Sequence, residues 1–195
     1  MSSDSLQQIR DEVGGNRAIV IVGTGVSVGA TREKVASWTG LLEDGVRRCI
    51  AARLPLPQDW EARLMDEIRS EDMDDLLGAA EKIASKLGAP TGGEYKRWLR
   101  ETVGELRPKH PEVIRALRDL GVPLATTNYD DLLEQVTGWP SVTWQDRAEV
   151  ERVLRGDVQG ILHFHGHWRT SESVILGLSS AGADSRSPTR PVQAW

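Results

Sequence analysis

The chain has one cysteine in 195 residues. Cys49 can form no disulfide within the chain, and a lone thiol cannot build a cysteine-rich zinc module. With Val46 and Ile50 beside it on an apolar helical face, it reads as a reduced, inert core thiol. No segment approaches the roughly 20 consecutive apolar residues that span a bilayer, which argues against a membrane partner. The opening stretch from Met1 to Gln8 lacks the apolar run of a secretion signal, so a cytoplasmic location is the expectation. An excess of positive charge is also missing. The 24 basic residues are outnumbered by 29 acidic ones, and they form no arm or stripe, so nucleic acid is not indicated as a partner.

What is present is an alternation of two patterns. Leu6, Ile9 and Val13 fall at the spacing of a short amphipathic helix. The run Ala18 to Val22 is continuously apolar and β-branched, as suits a strand covered on both faces in a parallel sheet. Gly23-Thr24-Gly25-Val26-Ser27 ends it. From about 34 to 106 the periodicity is helical, broken at Pro55, Pro57 and the Gly88–Gly93 loop, with Trp60, Tyr95 and Trp98 placed as core residues. Beyond Pro108 the pattern predicts a helix over 111–120, a strand over 122–127, and a helix from Asn128 through Glu134. A weak strand over 141–144, a helix over 147–154, and strands over 160–164 and 173–176 follow. Strands separated by helices predict an α/β, doubly wound, mainly parallel Rossmann-like sheet, with a helical insertion after the first βα unit. One domain is expected over 1–180. Residues 181–195, rich in Ser, Gly, Ala and Pro, are expected to be a disordered tail.

Three segments could carry chemistry. Gly23 to Ser27 directly follows a strand, where glycines let a pyrophosphate approach backbone N–H groups. The spacing to Gly29 misses the dehydrogenase fingerprint by one residue, and a plain tight turn explains it as well. Thr126 to Asp131 also lies at a strand's end. One capping residue would suffice to start a helix there, and Asn128 and Asp130 add an amide and a carboxylate for polar ligand groups. The third segment is His163-Phe164-His165-Gly166-His167. An extended chain puts His163 and His167 about 13 Å apart unless it bends at Gly166, so no metal site of all three histidines is expected. Two histidines with carboxylates, or hydrogen-bonded structural histidines, remain as alternatives.

Together and in this order, Gly23 to Ser27, Ser37-Trp38-Thr39-Gly40-Leu41-Leu42, Thr126 to Glu134 and His165-Gly166 resemble the sirtuin family. More narrowly, they resemble the divergent sirtuin-like domains of bacterial antiviral defence proteins, over about residues 17 to 178. The resemblance implies that NAD is the ligand, with Gly23, Thr24, Gly25 and Ser27 against its pyrophosphate and nearby ribose. It implies that Asn128 faces the nicotinamide ribose, that Asp130 meets the carboxamide, and that His165 is the base at the ribose hydroxyls. His163 and His167 match no family role. The Asp-Phe-Arg element and four-cysteine zinc module of deacetylating sirtuins have no counterpart, so no metal is expected. The implied activity is NAD glycohydrolysis, with a non-catalytic NAD- or ADP-ribose-binding regulatory module, or less readily an NAD-dependent protein deacylase, as alternatives. The family continues into adenosine-side strands for which the last residues have no counterpart, so these strands are expected to be missing. A sensor or effector protein partner is implied, and an open sheet edge predicts association between copies.

Overall fold

The computed structural model describes residues 3–70 and 72–177; the expected tail at 181–195 lies outside the described residues. Helix α1 (Ser3–Gly14) precedes strand β1 (Val20–Val22), which runs straight into helix α2 (Thr24–Thr31). Helices α3 (Trp38–Ala51), α4 (Trp60–Arg69), α5 (Met73–Leu87) and α6 (Gly93–Glu101) form the insertion. The chain then alternates through α7 (Glu112–Arg118), β2 (Leu124–Thr126), α8 (Leu132–Thr137), β3 (Ser141–Thr143), α9 (Arg147–Arg155) and β4 (Ile161–His163).

The four strands pair in the order β1-β2-β4-β3, every pair parallel. The fold is therefore mixed α/β with an all-parallel sheet, as the sequence pattern implies. The register aligns Val22, Thr126 and His163 in one row across β1, β2 and β4. Because all strands point the same way, the segments leaving that row emerge side by side along one edge.

Successive strand residues face opposite sides of a sheet. Leu124 and Ile161 join the large core with Leu42, Ile83, Leu99 and α8's Leu132, while Ala125 and Leu162 join a smaller cluster with Val142 and α9's Val153. Helices thus cover both faces, but unequally. The small cluster reaches β2 and does not extend to β1, where Ile19 is 38% and Ile21 56% exposed. The expectation of a first strand buried on both faces is therefore corrected: among the described residues β1 pairs only with β2, and one of its faces is open.

The insertion helices are fixed by local signals that the sequence carries. Ser37 caps α3 by accepting from Gly40 N–H, and Asp72 caps α5 by accepting from Asp74 N–H. Gly88 ends α5 in the left-handed conformation, φ 82°. Trp98 is buried with its indole N–H donating to Asp44, which removes the penalty of an unpartnered polar atom. Two expected elements differ. The helix expected from Asn128 starts at Leu132, and the Asn128–Asp131 segment is a turn. The strand expected over 173–176 is absent: Ser171–Ser173 is a short 3-10 helix, and the Ser173 and Ile175 carbonyls accept from the side chains of Trp144 and Tyr129 instead of a neighbouring strand.

Candidate functional site

The segments following β1, β2 and β4 converge above the row Val22–Thr126–His163. Gly23 leaves β1 with extended backbone and enters α2 with no side-chain cap, so no side chain claims the first-turn N–H groups of α2, of which Val26 N–H is bonded to the Gly23 carbonyl. A Cβ placed on Gly25 would meet nothing within 4 Å, so the approach to that turn is open. The Thr126 hydroxyl donates to the Val22 carbonyl and accepts from Asn128 N–H, which ties the β2 turn to the end of β1.

The polar centre is a three-residue relay. Asn128 Nδ2 donates to Ser27 Oγ at 2.8 Å, and Ser27 Oγ donates in turn to Asp130 Oδ2 at 2.8 Å. Asp130 Oδ1 accepts from Leu132 N–H, which makes it the side chain that starts α8. Since the Asn128 amide group is committed to Ser27, its Oδ1 is the free end, buried and without a hydrogen-bond partner among the described residues. Burial pushes the Asp130 carboxyl up to about 6 and Glu134 adds to the rise, against the lowering by Ser27, Leu132 N–H and His163.

A cleft of about 420 Å³ opens here. Gly23, Thr24, Asn128, Asp130 and His165 line its sheet side, and the insertion supplies an apolar wall that includes Trp38, Leu41 and Leu77. The His165 ring is exposed, and partial burial lowers its pKa, so it is a neutral imidazole at pH 7 that can accept a proton. A mostly apolar pocket with a few convergent polar groups is the usual form of a small-molecule site.

Five of the residues singled out from the sequence, Gly23, Thr24, Asn128, Asp130 and His165, therefore meet at one cleft. Ser27 does not line it. Ser27 is buried behind Asn128, and its hydroxyl is already used in both directions, accepting from Asn128 and donating to Asp130. Gly25 lies in the first turn of α2 and outside the cleft lining. The apolar wall was only half visible in the sequence: Trp38 and Leu41 belong to the Ser37–Leu42 motif, whereas Leu77 carries no local signal.

The histidine triplet departs from its expected geometry. Gly166 takes φ 85°, and a side chain there would run into the Ser173 carbonyl. The resulting bend folds His167 back onto His163, bringing the ring centroids to 4.7 Å in an edge-on arrangement. The 13 Å separation of an extended chain does not apply. His163 is buried, its Nδ1 donating to the Asn128 carbonyl at 3.0 Å and its Nε2 lying 2.6 Å from Glu134 Oε1. Burial lowers the His163 pKa, but Glu134 and the Asn128 carbonyl outweigh it and the net shift is upward. Among the described residues no carboxylate is hydrogen-bonded to His167; burial first, then His163, hold it down at about 3, a neutral ring. The sequence matches no known protein-family model.

Proposed function

We propose that the cleft binds NAD and hydrolyses its nicotinamide–ribose bond, giving nicotinamide and ADP-ribose. The observation that carries this reading is that Asn128, whose buried Oδ1 has no hydrogen-bond partner among the described residues, lines the same cleft as a neutral imidazole, His165. The C–N bond breaks with its electron pair leaving on nicotinamide, and oxocarbenium charge develops on the ribose. Asn128 Oδ1 accepts from the attacking water and orients it, and His165 accepts from a ribose hydroxyl, which eases that charge. The water oxygen bonds to the ribose carbon, and its surplus proton is released to solvent while nicotinamide leaves neutral. Asp130 meets the nicotinamide carboxamide. Gly23, Thr24 and Gly25, at the uncapped start of α2, receive the pyrophosphate on backbone N–H groups.

Support for the ligand class comes from position. In parallel α/β sheets ligands bind beyond the carboxyl ends of the strands, and three adjacent strand ends supply the polar residues here. The placement of β4 between β2 and β3, with α8 and α9 on opposite faces, is consistent with a Rossmann-like α/β plan. The apolar insertion wall would exclude bulk water from around the reacting carbon, leaving the one water held by Asn128. A defence role with a sensor partner rests on the sequence resemblance alone. Nicotinamide release from NAD, measured with and without an acetylated peptide, tests the reading. Release without peptide supports hydrolysis, release only with peptide indicates deacylation, and NAD binding without release indicates a regulatory module.

A further inference from the structure

We propose that Glu134, His163 and His167 form a binding site for one divalent transition-metal ion of the zinc type. The three side chains come from α8, the end of β4 and the turn after it, and one ligand atom of each lies within 4.8 Å of the others. The His163 Nδ1–H donates to the Asn128 carbonyl. A carbonyl holding the far ring nitrogen is the usual outer partner of a metal-binding imidazole, because it fixes the ring and turns Nε2 inward. That Nε2 faces Glu134 Oε1 at 2.6 Å.

The His163–Glu134 pair leaves the rest of the cluster unsatisfied. Glu134 Oε2 and His167 Nε2 are both buried with no hydrogen-bond partner among the described residues. An orphaned buried polar atom costs about 1–3 kcal/mol, and here two lie beside a third potential ligand. The unpartnered His167 Nε2 becomes a ligand in the tautomer with its proton on Nδ1, which gives up the 3.4 Å bond that Nδ1 accepts from Arg169 N–H. Two imidazole nitrogens and one carboxylate oxygen suit Zn²⁺, whereas Ca²⁺ and Mg²⁺ favour oxygen-only sets. Charge favours a cation as well: Glu134 is joined by Asp130 and Asp131, which act on His163 and His167, with Arg169 opposing them from its ion pair with Asp131. On binding, the proton between His163 Nε2 and Glu134 Oε1 would leave to solvent. The ion would clamp the chain on both sides of His165 and, through His163, the carbonyl of Asn128.

The site is independent of the NAD reading, and its test uses metal alone. Chelator-treated full-length chain titrated with Zn²⁺ is expected to bind one ion, with a rise in unfolding midpoint and release of a proton. His167→Gln and Glu134→Gln should each weaken binding by about a hundredfold or more, while His110→Gln binds like the parent. Because a buried variant can fail to fold, X-ray absorption on the zinc-loaded unmodified chain provides the second arm, with two imidazoles and oxygen expected around the ion. No saturable binding, binding indifferent to His167→Gln in a folded variant, or an ion without imidazole neighbours would each overturn the proposal.

Discussion

Asn128 and Ser27, 101 positions apart in the chain, are joined by a 2.8 Å hydrogen bond from amide to hydroxyl. The bond decides which end of the amide stays committed to the protein. Ser27 can accept from Asn128 because its own proton goes to Asp130, so one buried serine aligns both residues without lining the cleft.

Ser27→Ala should therefore lower kcat for NAD by about tenfold, or about 1.4 kcal/mol, with a smaller change in KM. Steady-state nicotinamide release measures both. A change confined to KM would show that Ser27 serves ligand binding and not the orientation of Asn128.

Asp130 gives the protein a pH dependence of stability opposite to that of most carboxylates. Its folded pKa, about 6, lies above the ordinary 3.8 because burial opposes the charge. A carboxyl raised in the folded state favours folding fully below its unfolded pKa and loses that contribution as pH rises through the folded value. About two pK units correspond to about 3 kcal/mol. Relative to Asp130→Asn, the parent should lose stability between pH 4 and pH 7. Urea unfolding across that range is the check, and parallel profiles for the two proteins would contradict it.

Gly166→Ala should destabilise the fold by at least about 2 kcal/mol. The left-handed backbone and the Ser173 carbonyl both oppose a side chain. The same variant should push His167 away from His163, which NMR of the imidazole protons would register. An Ala variant as stable as the parent would mean that the bend is not fixed by this contact.

The sequence revealed the strand ends better than what lies between and behind them. Apolar runs located β1, β2 and β4, and Asn128, Asp130 and His165 each stand just after one of these strands, so their convergence follows from parallel pairing. The resemblance implies a ligand contact for Ser27, and the structure adds that it is buried and does not line the cleft. Its burial depends on a bond to a residue 101 positions away, which no local pattern encodes. The His163–His167 contact was hidden for a different reason. Alternation predicts an extended chain, and a single glycine with positive φ reverses it. Val174 and Leu176 are buried on alternate positions like a strand, yet side chains occupy the carbonyls of Ser173 and Ile175. Ile21 read as buried because its run is apolar, while its exposure comes from the limited reach of the cluster around α9.

The central claim is that Asn128 acts on the bond-breaking step and not on holding the ligand. Single-turnover nicotinamide release, paired with NAD titration on the same samples, tests it most directly for the parent and for folded Asn128→Ala. The account predicts release at least about a hundredfold slower in the variant, with NAD affinity within about threefold of the parent. Undiminished release from the Asn128→Ala variant would contradict it.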